Sequence, residues 1–276
     1  MKITDSLVKE LENTASQNRI KLIDVLYKAH GGHFGGSLSC MDILTVLYNS
    51  VLKLDPKNPK WEDRDYFILS KGHSNAGFSV VLGNRGFFNS SKLYTFCTAG
   101  SAFGMHPTSK IPGVEIPTGS LGHGLSIGLG IAMALKLDNK KNKVYVLMGD
   151  GELNEGMIWE AAQAAPRWKL DNLIGIVDRN RLSMDGPTET VTMPLEPLDE
   201  KWKSFNWAVK KVDGHSVRAL LEVFNDVPFN AGSPSLIIAD TVKGKGISFM
   251  ENQYQWHYGS LTEEGYRDAL AEQEKS

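Results

Sequence analysis

Apolar residues recur along this chain with two periods, and their alternation predicts an architecture. Ile20, Ile23, Leu26 and Tyr27 fall at helical spacing within residues 17–29, as on a helix with one buried face. Ser39 stands as a candidate cap before a second helix, where Met41, Leu44, Leu47, Tyr48 and Val51 form the buried stripe. Tyr66–Leu69 reads as a short strand, and a helix of small residues follows over about 125–137. Three compact apolar runs come next, at 144–148, 173–177 and 236–239, each flanked by glycine or polar residues. Such runs suit strands buried on both faces. Helical stretches at 157–168 and 217–227 separate them, 207–212 is a weaker strand candidate, and a polar helix covers Glu263–Glu274. The pattern predicts an α/β fold, an open and mostly parallel sheet with helices on both faces. No repeat, low-complexity tract or composition shift marks a linker, so a single domain over residues 1–276 is expected.

Composition narrows the function classes. Hydrophobic residues make up 41 % of the 276, which excludes a disordered chain. Thirty Lys+Arg against 32 Asp+Glu leave a net charge of −2, which argues against a nucleic-acid binder that works through a basic surface. The apolar runs are too short to cross a bilayer, and the first eleven residues hold no apolar signal segment. Cys40 and Cys97 lie far apart with no metal-ligand spacing around them, so they read as reduced thiols of a cytoplasmic protein.

In open parallel sheets, ligands bind beyond the carboxyl ends of the strands. Gly149-Asp150-Gly151-Glu152 follows the first long run, and Asp178-Arg179-Asn180-Arg181-Leu182 follows the second. If those strands are neighbours, Asp150 and Asn180 reach one point from two strand tips. A carboxylate and an amide oxygen form a sparse hard-oxygen set, suited to Mg²⁺, Ca²⁺ or Mn²⁺ completed by phosphate oxygens and water. The flanking glycines let backbone approach a phosphate, and a helix start at Gly156 would offer free N–H groups. Alone, Gly149-Asp150-Gly151 is equally a tight strand-to-helix turn. Asn180, 30 positions beyond Asp150, shifts the balance toward a metal-bridged diphosphate site.

The triplet and the distant Asn resemble the thiamine-diphosphate motif, and neighbouring segments narrow the resemblance to the transketolase family. Those segments are Gly32-His33-Phe34-Gly35-Gly36-Ser37, residues 63–73 ending in Ser70-Lys71-Gly72-His73, Gly104-Met105-His106-Pro107, residues 119–124 and Lys243-Gly244-Lys245-Gly246. Residues from about 15 to 262 are similar to the N-terminal half of that family. The resemblance implies thiamine diphosphate and a divalent metal, with Asp150, Asn180 and the Leu182 carbonyl as metal ligands. It implies that Gly151 and His257 touch the diphosphate, that Gly119 and Leu121 lie along the cofactor, and that Met184 sits near its thiazolium. Lys243 matches a lysine near phosphate oxygens, and His73 joins the cofactor contacts. Glu155 and Glu160 match acidic residues at a subunit interface, Glu155 being placed with the cofactor-binding set. Both also read as acids favoured near a helix N-terminus.

Four histidines, His33, His73, His106 and His257, match the family's substrate-facing set. Ketol transfer moves protons on sugar hydroxyls, which imidazole gives and takes near neutral pH. His123 stands where many relatives carry Gln and reads as a hydrogen-bonding residue at or behind the site. His30 and His215 read as structural, and Lys71 is open to a plain surface reading. The family's next domain, which holds the pyrimidine ring and grips the substrate phosphate, has no counterpart within these residues. The resemblance therefore implies the N-terminal subunit of a split transketolase. A separate C-terminal subunit would supply the pyrimidine-binding domain in an α2β2 assembly acting on sugar phosphates. Alternatives are a subunit of a deoxyxylulose-phosphate-synthase-like or specialised ketol transferase, a non-catalytic partner chain, or a fragment of a longer protein.

Overall fold

Five strands form one sheet in this computed structural model, which describes residues 2–274. They are β1 (Tyr66–Leu69), β2 (Val144–Gly149), β3 (Leu173–Arg179), β4 (Ala208–Asp213) and β5 (Ser235–Asp240). Their spatial order is β1-β2-β3-β5-β4, and every pairing is parallel. Ten helices surround them: α1 (Asp5–Lys28), α2 (Phe34–Ser39), α3 (Met41–Val46), α4 (Asn75–Asn84), α5 (His123–Leu137), α6 (Gly156–Arg167), α7 (Thr188–Val191), α8 (Leu198–Ser204), α9 (Val217–Asn225) and α10 (Glu263–Glu274).

The strands separate two cores by simple alternation. Phe67, Leu69, Tyr145, Leu147, Ile174, Ile176 and Ile237 face one core with residues of α1 to α4, α9 and α10. Ile68, Val144, Val146, Met148, Leu173, Val177 and Ile238 face the other, built from α5, α6 and α8. Two covered faces explain why the strands read as unbroken apolar runs. Edge strand β4 turns Lys210 and Lys211 outward, which explains its weaker signal.

Three local expectations change. The first helix begins at Asp5, capped by the Thr4 side chain on the Leu7 N–H, well before residue 17. Leu7, Val8, Leu11 and Ala15 already fall at helical spacing there; the first three pack on the core and Ala15 is buried, so the stripe extends back to the first turns. The expected second helix divides into α2 and α3 at Cys40, followed by a π-helical turn over Leu47–Val51. Ser39 is no cap: it closes α2, and its hydroxyl donates to Asp178 Oδ2 at 2.6 Å, 139 positions away. No helix among the described residues is long and apolar enough to cross a membrane.

Candidate active site

The tips of four strands converge. Register pairs Gly149 with Asp178 and Arg179 with Asp240, so the residues just beyond β1, β2, β3 and β5 meet at one edge. A cavity of about 350 Å³ opens there. Of the residues singled out from sequence, His73, His106, Gly119, Leu121, Asp150, Gly151, Asn180, Leu182, Met184, Lys243 and His257 all lie on its wall. His33 stands just behind, its ring 5.4 Å from those of both His73 and His257. Glu155 and Glu160 are exposed on or before α6 and do not line the cavity. Nor does the start of α6, because a 3₁₀ turn over Gly151–Asn154 intervenes. His123 also lies off the wall, exposed, with Nδ1 3.2 Å from the Leu121 carbonyl.

The oxygen set is arranged by backbone and buried charge. Asp150 Oδ1 accepts the Gly151 N–H at 2.8 Å, while Oδ2 accepts the Arg181 N–H at 2.5 Å and Arg179 Nη1 at 3.1 Å. Burial and the nearby Asp178 charge raise the Asp150 pKa, only partly offset by Arg179. Asn180 directs its amide nitrogen to Asp178 Oδ2 at 3.2 Å, and its carbonyl accepts the Leu182 N–H at 3.1 Å. The Leu182 carbonyl accepts from Lys243 Nζ at 2.8 Å and keeps a second lone pair. Among the described residues no group of three or more His, Cys, Asp and Glu could hold an ion. One carboxylate, one amide and one carbonyl leave most of a hard cation's shell to phosphate and water. The glycines fit that arrangement: neither Gly149 nor Gly151 has a positive φ, so no turn demands them. A Cβ on Gly151 would meet only Ser183 at 3.6 Å, leaving open space for a ligand. The residues present therefore fit a metal-bridged diphosphate.

The opposite wall is cationic and imidazole-rich. Lys243 Nζ lies 3.0 Å from His257 Nδ1, so that nitrogen accepts and the proton of neutral His257 sits on Nε2. Burial brings the Lys243 ammonium down to about 8, with the Lys71 charge assisting. Burial likewise lowers His33 to about 4, helped by His106, and His257 to about 3, helped by Lys243. His73 is held well below its ordinary value by burial and Lys71. These three imidazoles are neutral at physiological pH. His33 Nδ1 is buried without a partner, an unused hydrogen-bonding position beside the cavity. Met184 is 62 % exposed at the rim.

Sequence reasoning missed the supports. Lys71 is no surface lysine: it is 1 % exposed, bonded to the Gly36 carbonyl at 2.8 Å and ion-paired with the fully buried Asp178. Glu152 ties three elements, accepting from Ser70 Oγ, from the Gly122 N–H at 2.8 Å and from the Gly149 N–H at 3.0 Å. Gly122 has φ +85°, and a Cβ there would strike that of Glu155 at 2.6 Å, so glycine is required at that entry to α5. Arg179 reaches Glu189 at 2.6 Å and Glu196 at 3.1 Å besides Asp150, which fastens residues 187–197 beside the site. The available signal was position, since Lys71, Glu152 and Arg179 all lie within three places of a buried strand's carboxyl end, at the ligand edge.

Comparison with known proteins agrees with this geometry. A family model described as "Transketolase, thiamine diphosphate binding domain" matches residues 11–272. The chain belongs to the transketolase family. A relative from Phocaeicola vulgatus, named as one subunit of an apulose-4-phosphate transketolase, is 44 % identical over 96 % of this chain and 94 % of its own length. A 6-deoxy-6-sulfo-D-fructose transketolase subunit from a Clostridium species is 39 % identical over 96 % and 97 %. The crystal structure of transketolase from Campylobacter jejuni superposes with a TM-score of 0.91 at 33 % identity, covering 99 % of this chain. The chain spans 43 % of that solved transketolase, so it matches the family's diphosphate-binding portion.

Proposed function

We propose that this chain is the diphosphate-binding subunit of a two-chain transketolase, which moves a two-carbon ketol unit from a ketose phosphate to an aldose phosphate. It works as a single domain over residues 1–276, in the cytoplasm, with a separate chain carrying the pyrimidine-binding domain in an α2β2 assembly. Asp150, Asn180 and the Leu182 carbonyl would hold Mg²⁺, or Ca²⁺ or Mn²⁺. Gly151, Lys243, His73 and His257 would border the diphosphate, with Gly119, Leu121 and Met184 along the cofactor and Glu155 toward the partner. Thiamine diphosphate, when bound, supplies the nucleophilic carbon that carries the ketol unit. His33, His73, His106 and His257 then orient the sugar and exchange protons with its hydroxyls. The observation that carries this reading is the single cavity at four strand tips, with hard-oxygen donors facing neutral imidazoles.

Mixing the chain with its complementary subunit, thiamine diphosphate and Mg²⁺ tests the proposal. Ketol transfer should appear in the mixture and be negligible with either chain alone. Full turnover by this chain alone, or none in the mixture, overturns it. Its relatives' names, which specify apulose-4-phosphate and 6-deoxy-6-sulfo-D-fructose transketolases, favour a second reading in which the donor is a modified sugar. A donor panel including xylulose 5-phosphate, fructose 6-phosphate, apulose 4-phosphate and pyruvate separates the two, and pyruvate use would point to a synthase-like enzyme.

A further inference from the structure

Asp178 has no contact with the cavity, yet four side chains converge on its carboxylate. Oδ2 accepts from Lys71 Nζ, from Ser39 Oγ at 2.6 Å and from Asn180 Nδ2 at 3.2 Å, while Oδ1 accepts from Thr241 Oγ1 at 2.5 Å. Lys71 and Thr241 follow β1 and β5, and Ser39 ends α2, so one carboxylate ties three elements to the tip of β3. The Asn180 amide has two chemically distinct ends. Its NH₂ meets an anion; reversed, a carbonyl oxygen would face that carboxylate 3.2 Å away and be repelled. Only one orientation is therefore compatible with a charged Asp178, and it sends the carbonyl oxygen away from the hub. Side chains behind a metal ligand commonly fix its orientation in this way.

We propose that Asp178 is a positioning residue that locks the Asn180 amide with its carbonyl oxygen presented as a metal donor. The proposal rests on the metal-site reading above and adds to it a residue that sets this donor's orientation from the amide end, as the Leu182 N–H does from the carbonyl end. Asp178→Leu removes the charged acceptor and leaves the Asn180 amide only the longer contact to Ser39 Oγ at 3.4 Å. Pairing it with Lys71→Met leaves no unpaired buried charge, an exchange that buried pairs often tolerate. Ser39 retains its bond to the Gly36 carbonyl in either variant. The test is Mn²⁺ binding, followed by electron paramagnetic resonance, with thiamine diphosphate and the complementary chain present. Lys71→Met/Asp178→Leu should bind Mn²⁺ about 10- to 100-fold more weakly than wild type, the usual cost of losing a ligand's support. Lys71→Met/Asp178→Asn, which keeps an acceptor oxygen, should recover most of that loss.

Equal affinity of both variants, whether strong or weak, overturns the positioning role while leaving the metal site intact. No Mn²⁺ binding by wild type overturns both. Should the leucine variant fail to fold, nuclear magnetic resonance of the wild-type Asn180 side-chain amide decides. Slow hydrogen exchange supports the lock, and rapid exchange overturns it.

Discussion

Arg19, Asp42 and His215 form one buried charged cluster, where α1 meets α3 and the start of α9; Lys71, Asp178, Asp150 and Arg179 form another at the strand tips. The first borders the larger space, a cleft of about 610 Å³, yet its carboxylate and imidazole are spent on their neighbours and only Arg19 Nε is left without a partner among the described residues. Asp42 Oδ2 takes Arg19 at 2.5 Å and His215 Nδ1 at 2.7 Å, and His215 Nε2 accepts the Val242 N–H at 2.8 Å. At the strand tips, by contrast, Asp150, Asn180 and Leu182 line the cavity with oxygens that already accept hydrogen bonds but keep further lone pairs, and His33 Nδ1 has no partner. Buried charge alone does not mark a site, and neither does cavity volume. A ligand-sized space lined by hard oxygens and imidazoles from several strand tips does.

That contrast is open to attack at both clusters. The largest effect belongs to Asp42→Ala, which strands the Arg19 charge in the interior. Stability should fall by about 3–5 kcal/mol in urea unfolding, while ketol transfer per folded molecule stays unchanged. A loss below about 1 kcal/mol would break the distinction from the structural side. Asp150→Asn is the counterpart. Arg179 retains Glu189 and Glu196, so the melting temperature should barely move. Divalent-ion affinity, read by calorimetry with thiamine diphosphate, should drop by more than about 100-fold, because a ligand is lost and not merely its support.

A subtler separation comes from pH. His33 and His257 titrate at about 4 and about 3 in the fold, and His73 is also depressed, whereas unfolded histidine titrates near 6.5. Between pH 6.5 and about 4 the unfolded chain therefore binds protons that the native one does not, and stability falls as pH falls through that window. For Asp42, burial pushes the pKa upward but Arg19 and His215 more than offset it, leaving it below the carboxylate value of 3.8. Its contribution is present above that value and is lost only at more acidic pH. His257→Asn should flatten the stability slope between pH 6.5 and 4, and an unaltered slope would show that this imidazole is not held neutral.

The sheet was largely legible because its strands are covered on both sides: 144–148, 173–177 and 236–239 read as apolar runs and form β2, β3 and β5. The opening of α1 was legible as well but was passed over, since Leu7, Val8, Leu11 and Ala15 continue the same helical stripe. At the site, the resemblance singled out Asp150, Asn180 and the histidines, because motif residues keep their local spacing. Lys71 was left open to a surface reading and Asp178 was given no role, because nothing local distinguishes a charged side chain turned inward from one in solvent. Ser39 was misread for a related reason, since a short-range cap and a bond to Asp178 compete for one hydroxyl.

Period, apolar runs and motif order are properties of the chain in its own neighbourhood, and through them the sequence by itself determined the parallel α/β class, the strand positions and the family. Which groups line the cavity, which charges cancel and which way the Asn180 amide faces depend on groups up to 139 positions apart brought within hydrogen-bonding distance. Only the tertiary structure decides these, because a hydrogen bond between distant residues leaves no periodicity in the sequence that makes it.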